Sequence, residues 1–267
     1  MPELPEVETV ANELRSSVIG KKIEYIEALW SRSFDNRDDN LLTEQVIESI
    51  DRRGKYLILN LTRSFLIIHL RMTGQLLYFD NESDADFNDY IRVIIKFSNG
   101  LLLFRDVRKF GRIYHVHDAQ SFLTHVGPDA LDKKVTASVF KNSLAASKMN
   151  IKAFLLSQKY ISGMGNIYTD EALFASGIYP AKTADSIKRR KAENLFLNMQ
   201  GILKASIQNM GSTISDYRDP SGNKGTNQLY FNVYGREGQP CKVCKTPIKK
   251  IKFAGRGTHF CPRCQRA

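Results

Sequence analysis

The hydrophobic pattern of this chain changes period at Asp118, and that change decides which folds remain open to it. From Lys22 to His117 the apolar residues come in short β-prone runs: Ile23–Ile26, Tyr56–Leu61, Phe65–Leu70, Leu76–Phe79, Ile91–Phe97 and Leu101–Phe104. Gly, Asn and Asp separate the runs, and Ser98-Asn99-Gly100 between the last two is a hairpin signal. Ahead of them Val7, Val10, Ala11, Leu14 and Val18 recur at helical spacing behind Pro5, whose fixed φ suits a first helical turn. The expectation is one helix leading an all-β sandwich or barrel. Gly127-Pro128-Asp129 punctuates a linker, and from Val135 to Asn209 the pattern is helical. There Ile151–Lys159 and Tyr168–Ser176 predict two helices around the glycine-rich turn Ser162-Gly163-Met164-Gly165-Asn166. Ser212–Gln228 is polar and has no apolar period, which predicts a mobile, working loop. The fold class is therefore α+β. Its expected divisions are 2–130 for the helix and β-sandwich, 131–235 for the helical domain and 236–267 for a C-terminal finger.

All four cysteines lie in the last 27 residues, as Cys241-x2-Cys244 and Cys261-x2-Cys264 around a 16-residue spacer. Each knuckle can offer two thiolates to one tetrahedral Zn²⁺ while the spacer folds as a hairpin. Four thiolates leave no open position for water, so such a zinc is structural. A pair of redox dithiols is the competing reading, and this double-knuckle spacing disfavours it. The clustering also argues for a reducing cytoplasm over a disulfide framework. Between the knuckles, Gly255-Arg256-Gly257 suits a tight turn presenting an always-charged guanidinium outward, where it can grip a phosphate.

A net charge of +11 suggests a polyanionic partner, either nucleic acid or an anionic membrane surface. The excess is concentrated at one end, since the tail from Cys241 carries eight Lys or Arg and no acid. The longest apolar runs are strand-sized and far short of a membrane-spanning helix, and the acidic N-terminus lacks the features of a secretory signal. Removal of Met1 would leave Pro2 as a secondary amine. An α-amino group titrates near pH 8, so a neutral, nucleophilic fraction exists at physiological pH. Taken alone, Pro2, Glu3 and Glu6 read better as a helix start, where Pro and Glu are favoured by geometry and dipole, than as a catalytic group.

The wider constellation changes that balance. Met1-Pro2-Glu3-Leu4-Pro5-Glu6-Val7-Glu8-Thr9 resembles the opening of the bacterial formamidopyrimidine-DNA glycosylases. Arg53-Gly54-Lys55-Tyr56-Leu57, His69-Leu70-Arg71-Met72-Thr73-Gly74 and Asp106-Val107-Arg108-Lys109-Phe110-Gly111 resemble three further motifs of that family, in its order. So do Gly163-Met164-Gly165-Asn166-Ile167-Tyr168 in a helix–two-turn–helix, Val233-Tyr234-Gly235-Arg236, and the four-cysteine ribbon. The resemblance spans essentially the whole chain.

It implies a base-excision enzyme for oxidised purines with AP lyase activity, one structural zinc and double-stranded DNA as partner, acting as a monomer in the bacterial cytoplasm at the nucleoid. Pro2 is then the nucleophile, Glu3 the acid that helps open the deoxyribose ring, and Glu6 a support for the same site. Lys55 corresponds to the residue assigned to proton transfer in β-elimination, and Arg256 to the arginine associated with δ-elimination. A base inside a duplex must be flipped out to be cut. Met72 and Phe110 would wedge the vacated stack, and Arg108 would face the orphaned base; without the motif context, Met72 and Phe110 read instead as core residues of the β-domain. Lys152 and Asn166 match phosphate-binding positions, and 212–228 matches the loop that closes over an everted 8-oxoguanine.

The sequence departs from the family near residue 90, where a frequent His-x-His pair is replaced by Tyr90-Ile91-Arg92. Tyr90 keeps a hydroxyl that can reach a phosphate. Two other readings compete. An endonuclease VIII-type enzyme would prefer oxidised pyrimidines, but such proteins usually carry glycine where this chain has Leu4. A catalytically silent damage-binding module would have no need of Pro2, Glu3, Lys55 and Arg256 together.

Overall fold

Pro5 enters the first turn of α1 (Leu4–Val18), and the helix ends two residues before Gly20, which adopts φ +80°. Its inward stripe is Val7, Val10, Ala11, Leu14 and Val18, each at most 1% exposed. Burying such side chains contributes about 1.5–3 kcal/mol for each larger one, so this stripe fixes where the helix docks. Removing one, as in Leu14→Ala, would cost about 2–5 kcal/mol.

The computed structural model describes residues 1–266 and separates into two compact units. The first comprises Met1–His125 and Asn209–Thr226. After α1 come β1 (Ile23–Ala28), β2 (Phe34–Asn36), β3 (Ile47–Arg53), β4 (Tyr56–Leu61), β5 (Phe65–His69) and β6 (Gly74–Phe79). They are followed by β7 (Ile91–Phe97), β8 (Leu101–Asp106), β9 (Arg112–Val116) and the short α2 (Ala119–Phe122). One antiparallel sheet has the order β1-β7-β8-β6 and the other β2-β9-β5-β4-β3, with β2 and β9 the parallel pair. Ile68, Leu57 and Leu59 from the second sheet meet Val93, Ile95 and Phe104 from the first in one core, which α1 shares. The β7–β8 hairpin turns at 98–100, with Gly100 at φ +105°.

The near-continuous apolar character of β7 and β8 has a plain cause. Their second face is also covered: Ile91, Ile94, Leu101 and Leu103 form a separate buried cluster with Phe79 and Ala85. Strands buried on both faces lose the alternation of a half-exposed sheet.

The second unit comprises Val126–Gln208 and the residues from Asn227 onward. It contains α3 (Ala137–Ala145), α4 (Ile151–Leu156), α5 (Asn166–Ala175), α6 (Arg189–Gln208), and the antiparallel pair β10 (Lys249–Phe253) and β11 (Arg256–Phe260). Asn150 caps α4, its Oδ1 accepting from Ala153 N–H at 2.8 Å. The helix stops earlier than its apolar spacing predicts, because Gln158 turns into the left-handed region at φ 59° and uses its amide locally. Gln158 Nε2 donates to Met164 O at 2.6 Å, and its Oε1 accepts from Gly163 N–H at 2.9 Å. That side chain holds the glycine turn shut. Glu171 on α5 then accepts from the N–H groups of Asn232, Val233 and Tyr234 at 2.8–3.0 Å, which explains why the 233–236 motif keeps a fixed place against this helix. Among the described residues no helix is long and apolar enough to cross a membrane.

Candidate functional site

In the first unit, Pro2, Glu3 and Glu6 gather at the start of α1, all three buried. Glu6 Oε2 accepts from Glu3 N–H at 2.8 Å, while Oε1 accepts from Ser212 N–H at 2.7 Å. One carboxylate thus ties the helix start to the segment 209–226. Gly211 is required there: it sits at φ +74°, and a Cβ on it would come within 2.9 Å of Glu6 Cγ. The Tyr217 hydroxyl donates to Glu6 O at 3.3 Å and its ring enters the α1 core, where burial and then the Glu6 charge push its phenol well above the usual range.

The segment expected to be a mobile loop is tied down at its ends and at several points along its length, though it holds no helix or strand between 212 and 226. Thr226 N–H donates to Asn209 O at 3.0 Å, closing its ends. Asp219 Oδ1 accepts from Asn223 N–H at 2.6 Å, and Pro220 O accepts from Tyr78 N–H at 3.0 Å. Its composition hid this, because most of its partners are backbone groups. Ile214, Ser215, Asp216 and Ser221–Lys224 remain exposed.

Lys55 lies in the two-residue turn between β3 and β4, after Gly54 at φ +59°. Its side chain is buried. What steadies the turn is an ion network absent from the sequence reading: Arg52 Nε donates to Glu8 Oε2 at 2.6 Å, Arg52 Nη1 to Gly54 O at 3.0 Å, and Arg15 Nη1 to Glu8 Oε1 at 2.9 Å. Burial works to raise the Glu8 carboxyl, but the Arg52 charge and the hydrogen bonds from both arginines prevail and hold it below its ordinary range. Glu8 therefore links α1 directly to the Lys55 turn. Below that turn, burial and then the positive charges of Arg71 and Lys55 push His69 down to about 3, so it is a neutral imidazole whose Nδ1 accepts from Arg71 N–H at 3.0 Å.

Met72, Arg108 and Phe110 are exposed and touch one another. The Arg108 guanidinium carbon is 5.1 Å from the Phe110 ring centroid, and Nη1 is 3.3 Å from Met72 Sδ. Met72 and Phe110, 38% and 48% exposed, are not core residues. Two non-glycine residues in these turns, Arg71 (φ 54°) and Lys109 (φ 60°), occupy the left-handed region, a cost that surrounding bonds must meet. Asp106 supplies them. Fully buried, it accepts from the Thr73 hydroxyl and from Arg108 N–H through Oδ1, and from Gly111 N–H at 2.7 Å through Oδ2. Tyr90 is exposed, with the Arg105 guanidinium carbon 5.2 Å from its ring centroid. Arg92, by contrast, is buried and spends its guanidinium on Asp106 O and Asp89 O, both at 2.8 Å.

In the second unit the four cysteine sulfurs converge within 4.8 Å of one another, with Cys244 Sγ 3.4 Å from Cys261 Sγ and Cys241 Sγ 4.0 Å from Cys264 Sγ. A tetrahedral Zn–S bond of about 2.3 Å requires sulfurs roughly 3.8 Å apart, which these spacings match. Burial raises the Cys261 and Cys264 thiols, while hydrogen bonds from Thr246 lower Cys244 to about 6, and a bound dication would hold all four as thiolates. This is a structural zinc site. Arg256 opens β11 and is exposed at the hairpin turn.

The two phosphate-binding expectations meet a different arrangement. Asn166 begins α5, and its Nδ2 donates to Gly257 O at 3.0 Å. Lys152 departs from its expectation altogether. Its side chain is 0% exposed, and Nζ donates to Asp170 Oδ1 at 2.7 Å, to Thr258 Oγ1 at 2.8 Å and to Gly257 O at 3.3 Å. An ammonium so enclosed persists because a carboxylate neutralises it, and none of its charge is offered at the surface. Asp170 itself went unnoticed in the sequence. The available signal was an Asp-Glu pair one turn into the largely apolar helix that follows the glycine turn.

Three domain families match the chain: the formamidopyrimidine-DNA glycosylase N-terminal domain over residues 1–113, the H2TH domain of the same enzymes over 126–218, and the zinc finger found in FPG and IleRS over 238–267. The formamidopyrimidine-DNA glycosylase of Desulfitobacterium hafniense is 38% identical over 274 residues, covering 99% of this chain and 100% of the relative. That of Bacillus licheniformis is 37% identical over 276 residues, covering 100% of both. Among solved structures, Lactococcus lactis Fpg in complex with abasic-site DNA superimposes with a TM-score of 0.90 at 36% identity, over 99% of this chain and 100% of that one. MutM in complex with DNA containing carbocyclic 8-oxo-G gives 0.91 at 37% identity, over 100% of both. With sequence kinship and fold agreeing from the first helix to the last cysteine, the chain belongs to the formamidopyrimidine-DNA glycosylase family.

Proposed function

We propose that the protein is a bifunctional DNA glycosylase and AP lyase of base excision repair, removing 8-oxoguanine and formamidopyrimidines from double-stranded DNA and cutting the strand by β,δ-elimination. The observation that carries this reading is the cluster at the start of α1. Pro2 and Glu3 sit together there, and the Glu6 carboxylate clasps Glu3 N–H and Ser212 N–H. Loss of Met1 frees the Pro2 secondary amine, whose nitrogen attacks C1′ of the everted nucleotide while the bond from C1′ to the damaged base breaks. Glu3 protonates the ring oxygen O4′, and the sugar opens as an iminium held on Pro2. Lys55 takes a proton from C2′, and the C3′–O bond breaks with its electrons. In the second elimination C4′ loses a proton and the C5′–O bond breaks, its electrons leaving with the phosphate whose departure Arg256 assists, after which water releases the sugar remnant from Pro2. Met72 and Phe110 fill the stack and Arg108 faces the orphaned base. Tyr90 and the second N–H of the Asn166 amide, whose first is spent on Gly257 O, steady the phosphates. Zinc takes no part in the chemistry and holds the hairpin that carries Arg256. The enzyme works in the reducing cytoplasm at the nucleoid, where thiolates stay free to bind metal.

Borohydride trapping tests nucleophile and reaction class together. Duplexes with 8-oxoguanine opposite cytosine should give a covalent adduct that Pro2→Gly abolishes, whereas thymine glycol duplexes should give little. Binding without an adduct on either lesion would mark a silent module, and a stronger adduct on thymine glycol would move the enzyme to oxidised pyrimidines. Full activity in material whose mass shows Met1 retained would sink the mechanism.

A further inference from the structure

Arg256 stands between two glycines, and Gly255 before it adopts φ +70° with nothing within 4 Å of where a Cβ would stand. Gly255 therefore does not set its direction, and Gly257 on its other side has only the flexible Lys250 side chain within reach of a Cβ, at 3.2 Å. The constraint comes from below, where four groups of α4, α5 and β11 converge on the peptides that follow it. Lys152 Nζ donates to Thr258 Oγ1 at 2.8 Å and to Gly257 O at 3.3 Å. Asn166 Nδ2 donates to the same Gly257 O at 3.0 Å. The Thr258 hydroxyl, accepting from Lys152, stands 3.3 Å from Arg256 O and 3.4 Å from Phe253 O and donates its single hydrogen across the turn. Asp170 joins the two halves: Oδ1 accepts from Lys152 Nζ at 2.7 Å, and Oδ2 accepts from His259 N–H at 2.8 Å. Asp170 and Lys152 side chains are both 0% exposed. A desolvated pair of this kind has strong directional bonds and few alternative arrangements.

We propose that Asp170, acting through Lys152 and Thr258, is a positioning residue for Arg256, and that it governs the second, δ, elimination while leaving the Pro2 chemistry alone. The inference rests on the role proposed for Arg256 above and goes beyond it. Zinc fixes the Cys261 end of β11, and the Asp170–Lys152 pair fixes its beginning. The first anchor makes the hairpin, and the second aims it. Neither Asp170 nor Lys152 needs to touch DNA for this.

The test is a single-turnover assay on a duplex carrying a preformed abasic site, following the β-product and the δ-product separately. Asp170→Asn keeps the shape and the acceptor for His259 N–H but removes the countercharge of Lys152. Thr258→Val leaves the charge pair intact and cuts its link to the Arg256 peptide, so it decides the matter should Asp170→Asn fail to fold. Both should slow the δ step by about tenfold to a hundredfold, the penalty typical of an ångström-scale misplacement. Borohydride trapping at Pro2 should change by less than about threefold, with one zinc retained per chain. A purely structural role would depress trapping and both eliminations together, and that result overturns the proposal, as would a wild-type product ratio in zinc-replete Thr258→Val. Arg256→Ala runs alongside. A wild-type δ:β ratio there would mean that the reading of Arg256 itself has failed, whereas a shifted ratio there with an unchanged Thr258→Val isolates the failure to the positioning role.

Discussion

Two glycine-assisted turns, one in each unit, present one cation apiece, and the chain steadies them by different means. The Lys55 turn is held by Glu8, whose carboxylate is 19% exposed and shared between Arg15 and Arg52. The Arg256 turn is held by Asp170 and Lys152, both wholly desolvated. A partly exposed carboxylate with two guanidinium partners is tolerant, because solvent and the second arginine compensate for a lost bond. The Asp170–Lys152 pair has further protein partners but no solvent to take up a lost charge, because both side chains are wholly buried. The lysine it steadies is itself buried in the first case, whereas the arginine in the second is exposed and depends wholly on its hairpin. Of these two cations, the exposed one has the more deeply buried support beneath it.

The largest way to break this comparison is to remove zinc. Structural zinc contributes on the order of 10 kcal/mol to small domains of this kind. Chelation or Cys244→Ser should therefore unfold the hairpin and abolish DNA binding, while the circular dichroism and cooperative melting of the first unit persist. Normal binding by a verified metal-free protein would show that the hairpin folds without its metal. Next in size are the two carboxylates themselves. Asp170→Ala strands a buried ammonium and should cost about 3–5 kcal/mol of stability. Glu8→Ala leaves Arg15 open to solvent and the nearly buried Arg52 still bonded to Gly54 O, and should cost about 1–2 kcal/mol. Equal losses in denaturant titrations would erase the distinction between tolerant and brittle supports.

How much of this was legible beforehand follows the same division. The period change at Asp118, the leading helix, the β7–β8 hairpin and the four-cysteine finger stood in the sequence, because apolar spacing and knuckle spacing are local properties. Exposure of Met72 and Phe110 was not local: both sit next to core strands, and composition alone would have buried them. Glu8, Arg52, Asp106 and Asp170 were invisible as supports, since their meaning lies in partners up to 89 residues away, as for Asp170 and His259. Lys152 was misplaced for a related reason. A lysine at a family phosphate position reads as a surface cation until the carboxylate that swallows its charge is seen in space.

A smaller effect sharpens the comparison through pH. Glu8 has a folded pKa depressed below its ordinary 4.5, so its contribution is complete above that value and is lost as pH falls through the folded pKa. Wild-type stability should therefore decline as pH drops below about 4.5, and Glu8→Gln should flatten part of that decline. A Glu8→Gln protein whose stability falls as steeply as wild type would show that the network with Arg15 and Arg52 carries no net energy.

The smallest expected effect separates the two cations by what they do. Binding to a duplex with a stable tetrahydrofuran abasic analogue should weaken steeply with salt, each neutralised phosphate adding roughly 0.9 to the logarithmic slope. Arg256 is exposed and presents a full charge, so Arg256→Ala should lower that slope by about one. Lys55 is buried, and its assigned work is proton transfer, so Lys55→Met should leave the slope nearly unchanged while arresting β-elimination. If both substitutions lowered the slope alike, Lys55 would be gripping phosphate as Arg256 does, and the contrast between an aimed surface cation and an enclosed chemical one would give way to two copies of the same device.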